Sequence, residues 1–157
     1  MINSFSIRVI GFMLSLFLFY NSLSYLVLSP RLISPCSEEA PVKEVVLGYI
    51  TNFFLNDYDQ MEGYLHDRLS KRGVNSDGQI SQEYPKDAIK ELMENKPALP
   101  SELQKNDILE VNVYTNIATV IMETGYPNTR WKEYIHLAKV NGKWVIMDVL
   151  WDFEIKQ

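Results

Sequence analysis

The chain has 157 residues, of which 46% are hydrophobic and 22% charged, with 7 glycines and 7 prolines. This composition excludes disordered, collagen-like and disulfide-stapled classes and fits a single domain. One cysteine excludes an internal disulfide and a cysteine-based zinc site, and a formal charge of −5 without a basic run excludes nucleic-acid binding through phosphates.

Residues 9–29, VIGFMLSLFLFYNSLSYLVLS, carry no charge, and Arg8 stands just before them. The densest apolar part, Val9 to Tyr20, has the length of a signal-peptide core. The whole run is long enough to span a bilayer as a helix. Asn21, Ser22 and Ser24 favour a cleaved signal, and Leu26 to Leu28 favour a continuing anchor. Cys36 admits a lipoprotein, although Ile33-Ser34-Pro35 lacks the small residue normally placed before a lipidated cysteine. Removing residues 1–37 takes away two arginines and no acid, so the remainder carries a formal −7. An acidic body behind such a segment is expected in an exported space, periplasmic or extracellular, with residues 9–29 as a membrane tether if they are retained. The expected organisation is therefore a signal or anchor plus linker over 1–37 and one domain over 38–157.

The body reads as helices first and strands last. Val42, Val45, Val46, Tyr49, Ile50, Phe53 and Phe54 recur at helical spacing, with Pro41 suited to the first turn and Asn56-Asp57 at the end. A short second helix over Asp59 to Leu65 has an aspartate as its cap. Ser70–Val74 and Gln79–Gln82 flank Asn75-Ser76-Asp77-Gly78 and read as a short hairpin. A third helix runs from Pro85 to about Asn95 and is stopped by Pro97 and Pro100. Strands follow over Ile108–Thr115, Ile117–Thr124, Trp131–Val140 and Lys143–Phe153, the last two joined by Asn141-Gly142, which suits a type I′ turn.

That turn sets a register in which Val140 pairs with Lys143, Lys139 with Trp144, Leu137 with Ile146 and Ile135 with Asp148. One face then carries Trp131, Glu133, Ile135, Leu137, Trp144, Ile146, Asp148 and Leu150. The other carries Tyr134, His136, Ala138, Val145, Met147, Val149 and Trp151. Both faces are apolar, so each needs a cover: the helices on one, and a second copy of the chain on the other.

Two stretches resemble a known family. Tyr64-Leu65-His66-Asp67-Arg68-Leu69-Ser70-Lys71-Arg72 and the closing hairpin from Glu133 to Trp151 are similar to segments of the "Putative lumazine-binding" family of the nuclear transport factor 2-like superfamily. Asp67 stands where that family often has proline, and Asp148 where it often has asparagine. The resemblance covers roughly Val42 to Phe153. It implies an α+β, cone-shaped, cystatin-like fold, with N-terminal helices packed in a curved antiparallel sheet. It also implies an open-ended apolar cavity and a homodimer. Relatives with this fold act as isomerases, dehydratases, cyclases or binding modules.

Candidate functional residues follow. Asp148, set among Ile135, Leu137, Ile146 and Leu150, should have its pKa raised by burial and could act as acid or base, or be satisfied by Trp144 or Tyr49. His66 is a general base or ligand donor at the cavity rim, or a histidine tying the helix end to Lys71 and Arg72. His136 reads as an interface histidine, and Glu133 as wet, near the sheet edge. Tyr49, Phe53, Tyr64 and Trp144 are ligand-contacting aromatics or ordinary core. Lys71-Arg72 meets an anionic group of a ligand or forms a solvated pair. No phosphate loop, G-x-S-x-G elbow or H-E-x-x-H occurs, and Cys36 precedes the fold. No metal or cofactor is expected. The leading reading is an exported domain that binds a small, mostly apolar or aromatic ligand. An isomerase or dehydratase using Asp148 or His66 is the alternative, and an interaction module with a filled cavity is a third class.

Overall fold

The computed structural model describes residues 36–75, 77–81 and 83–153. The run 9–29, on which the export and tether readings rest, lies outside the described residues, as does the side chain of Cys36.

Helix α1, Cys36–Leu55, begins earlier than the apolar stripe, so Pro41 stands inside it and not in its first turn. The proline is exposed. Val42, Val46, Tyr49, Ile50, Phe53 and Phe54 are buried, the stripe that the spacing predicts. Asn56 ends the helix in the left-handed region (φ 62°). Helix α2, Tyr58–Met61, is capped by Asp57, whose carboxylate accepts from the Gln60 N–H at 3.1 Å, and passes into a 3₁₀ turn over Glu62–Tyr64.

Strand β1, Leu65–Val74, follows directly. The expected hairpin is reduced to isolated antiparallel bridges, Val74 with Ile80 and Lys71 with Tyr84. Helix α3, Lys86–Glu94, buries Ile89 and Met93. A 3₁₀ turn at Ser101–Leu103 leads to β2, Lys105–Tyr114, β3, Ile117–Tyr126, β4, Thr129–Val140, and β5, Lys143–Phe153. The sheet order is β1-β5-β4-β3-β2, with β1 parallel to β5 and the other pairs antiparallel. The helices pack on one face of this curved sheet and the core lies between them. The architecture is α+β.

Asn141 (φ 51°) and Gly142 (φ 80°) make the tight β4–β5 turn. The register holds from Val140–Lys143 to Leu137–Ile146, then shifts by one residue. Met147 is the extra residue of a β-bulge, and a one-residue shift sends every later side chain to the other face. Ile135 thus pairs with Val149, Glu133 with Trp151, and Trp131 with Phe153 on the helix-covered inner face. Asp148 is brought opposite His136, and Leu150 opposite Tyr134, on the outer face. This corrects the placing of Asp148 among Ile135, Leu137 and Ile146, and it removes Val149 and Trp151 from the outer face. The outer face is more polar than expected.

Candidate ligand-binding cavity

A cavity of about 410 Å³ opens between the C-terminal end of α1, the segment after α3 and the ends of β3, β4 and β5. Its size falls within the range of small-molecule sites. Phe53, Tyr126, Trp131, Trp151 and Phe153 supply most of its apolar wall. The rings contact one another edge-on or tilted: Trp131–Phe153 centroids are 6.0 Å apart, Trp151–Phe153 5.0 Å and Tyr126–Trp131 5.8 Å. Such contacts hold each ring in place beyond its area burial. Trp151 is further seated on Gly73, its partner across β1–β5: a Cβ there would lie 2.5 Å from the indole ring.

Lys71 lies at the cavity wall and is itself buried. Its ammonium donates to Glu133 Oε1 at 2.7 Å and to the Tyr49 hydroxyl at 2.6 Å. Glu133 also accepts from Trp131 Nε1 at 3.1 Å and from the Tyr49 hydroxyl at 3.5 Å. A buried charge is tolerated only when paired and hydrogen-bonded, and this network supplies both conditions. Burial by itself would lower the Lys71 pKa. The Glu133 carboxylate, with Tyr49, outweighs that and holds the ammonium above the ordinary lysine range. Burial, reinforced by the Glu133 charge, pushes the Tyr49 phenol well above its usual value. The expectation of a wet Glu133 is therefore corrected, since its side chain is fully enclosed. Lys71 is likewise not a solvated partner of Arg72, because alternation along β1 sends the two to opposite faces.

Lys96 also lines the cavity, with its ammonium 4.9 Å from the centre of the Phe53 ring. Its backbone is pinned by two hydrogen bonds, Lys96 N–H to the Met93 carbonyl at 3.0 Å and Asn56 Nδ2 to the Lys96 carbonyl at 3.2 Å. Burial, followed by the charge of Lys71, lowers its pKa. Among the described residues no three His, Cys, Asp or Glu side chains gather into a group that could hold a metal ion.

Of the residues singled out in the sequence, Phe53 lines the cavity and Tyr49 stands one hydrogen bond behind it through Lys71. Tyr64 packs against α1 at Gly48 and is not in the cavity wall. Trp144 is buried near the start of α1, where its Nε1 donates to Glu38 Oε2 at 2.9 Å. Glu38 and Phe53 sit about 22 Å apart along that helix, so Trp144 belongs to the other end of the cone. Asp148 and Arg72 pair with each other on the outer face, with His136 Nδ1 3.4 Å from Asp148 Oδ2. His66 accepts from the Arg68 N–H at 3.0 Å in the irregular first part of β1 and does not line the cavity. The structure does not bring His66 and Asp148 together, and it places neither in the cavity wall.

A family model described as "Putative lumazine-binding" matches residues 37–152, most of the chain and all of its core. The chain belongs to that family. No curated protein matches it in sequence. Among solved structures, this family member resembles an NTF2-like protein of unknown function from Shewanella baltica OS155, at 20% identity and a TM-score of 0.67, over 76% of this chain and 95% of that one. It also resembles a ketosteroid isomerase-like protein from Erwinia carotovora atroseptica SCRI1043, at 17% identity and a TM-score of 0.59, over 77% and 99% of the two chains. A third is a cystatin-like fold protein from Burkholderia xenovorans LB400, at 16% identity and a TM-score of 0.55, over 75% and 92%. At these identities the likeness shows the fold: NTF2-like, within the cystatin-like class.

Proposed function

We propose that this protein binds a small, mostly apolar or aromatic molecule in the cavity between α1 and the sheet. The observation that carries the reading is the wall itself: six aromatic side chains, Phe53, Tyr84, Tyr126, Trp131, Trp151 and Phe153, surround about 410 Å³ of space. Few convergent polar groups within a mostly apolar concavity is the usual make-up of a small-molecule site. Membership of a family described as lumazine-binding, and the NTF2-like fold, support the same reading. Native mass spectrometry of the protein purified from its own host tests it. A retained small molecule, absent from a Leu92→Trp variant whose wall is filled, is the expected result. Equal adducts on both proteins, or none on either, contradict it.

The proposal includes an exported location, supported by the uncharged run 9–29. Fractionation that finds the intact chain soluble in the cytosol would overturn that part. It also includes a second copy on the outer sheet face, supported by the exposed side chains of Ile117, Tyr134 and Leu150 there. Sedimentation of the body should give a dimer that Tyr134→Glu dissociates, whereas a monomer at high concentration contradicts it.

A further inference from the structure

The cavity has donors to spare, and the carboxylate behind its wall is taken. Both oxygens of Glu133 are engaged, by Lys71 and Trp131 on one and Tyr49 on the other. Lys71 is answered by Glu133 and Tyr49. Lys96 differs. Among the described residues its ammonium meets no carboxylate and lies over the face of Phe53. A cation over a benzene ring is a weak substitute for a counter-ion. The indole N–H of Trp151, also in the cavity wall, is buried and has no hydrogen-bond partner among the described residues. Counting Lys71, Lys96 and Glu133, the charged groups in and behind the wall leave an excess of one positive charge. That excess sits inside a body that is acidic overall.

We infer that the molecule bound in this cavity is an aromatic or other flat apolar anion, such as an aryl carboxylate, whose charged group pairs with Lys96 while its ring lies among Trp131, Trp151 and Phe153. The inference rests on the cavity-binding reading above and specifies its ligand class. The backbone hydrogen bonds from Asn56 and to Met93 fix where Lys96 stands, so the cation is presented by a held segment and is not a stray surface lysine. Lys96 is half-buried, so a ligand that fills the cavity strips water from its ammonium, and an anion that pairs with it offsets that cost at the moment of binding. A neutral analogue of the same shape would leave the ammonium desolvated and unanswered.

Isothermal titration of the full chain with 2-naphthoate and with its neutral isostere 2-naphthamide tests this. The carboxylate should bind at least about tenfold more tightly, as expected for a charge-assisted hydrogen bond of more than about 1.4 kcal/mol. Lys96→Met should remove that preference, so that the two probes bind alike, and Lys96→Arg should keep it. Equal binding of the two probes by the unaltered protein overturns the anion inference and leaves the apolar cavity reading intact. A preference that survives in Lys96→Met overturns the assignment to Lys96. Failure of both probes to bind counts against the cavity reading itself, and the inference falls with it.

Discussion

Lys71 and Arg72 are consecutive, and each pairs with a carboxylate of another strand, Glu133 on β4 and Asp148 on β5, yet the two pairs have different surroundings. The Lys71–Glu133 pair lies on the inner face with side chains 7% and 0% exposed. The Arg72–Asp148 pair lies on the outer face at 38% and 26%. Strand alternation alone separates them. The inner pair is closed by Tyr49 and Trp131, and its lysine lines the cavity. The outer pair is reachable by water and shares its carboxylate with His136. Burial, and not the identity of the ions, decides how much the fold depends on each pair.

The sharpest way to break this comparison is to neutralise the inner carboxylate. Glu133→Gln should cost about 3–5 kcal/mol, because it strands the buried Lys71 charge. Lys71→Met with Glu133→Leu should lose less than the sum of the two single changes, by about 1–3 kcal/mol in a double-mutant cycle. Strict additivity in urea melts would mean that the pair does not act as a unit. Next in size is Gly73→Ala. The new Cβ must displace the Trp151 ring, an overpacking cost of about 1–3 kcal/mol, and tryptophan emission should change with it. Unchanged stability and emission would show that the ring is not seated as described.

Alkaline pH probes the same inner pair. The Lys71 pKa is raised in the fold, so its stabilisation is complete below the ordinary lysine value near 10.4 and is lost as pH rises above that value towards the folded one. Stability should fall between pH 9 and pH 11, with the raised Tyr49 phenol acting in the same direction, and the fall should be smaller in Lys71→Met. An identical fall in both would assign it to other groups. The smallest effect is expected on the outer face. Asp148→Asn should cost about 0–1 kcal/mol and leave the affinity for 2-naphthamide unchanged. A large loss of binding would restore Asp148 as a site residue.

The fold was legible where pattern and turn chemistry agree. The α1 stripe, α3 between its prolines, the four last strands and the Asn141-Gly142 turn all follow from spacing and from the residues that permit positive φ. The bulge at Met147 was not legible. Val145 to Trp151 alternates plausibly in either register, so the period-two argument continued past the point where the chain broke it and put Asp148 and Trp151 on the wrong faces. Glu133 shared the face of Ile135 and Leu137 in the sequence reading. Its burial depends on Lys71 arriving from β1, and that parallel pairing with β5 joins residues too far apart in the chain for spacing to reveal. Lys96 stands between a helix end and a proline with no periodic signal. Its place over Phe53 follows from a contact with Asn56, forty residues away.

The most direct test of the account is to map where an uncharged aromatic probe lands. Heteronuclear NMR with 2-naphthamide should move the resonances of Phe53, Trp131, Trp151 and Phe153 and leave Tyr134, His136 and Asp148 in place. Shifts confined to the outer face, or no shifts at all, would contradict the account.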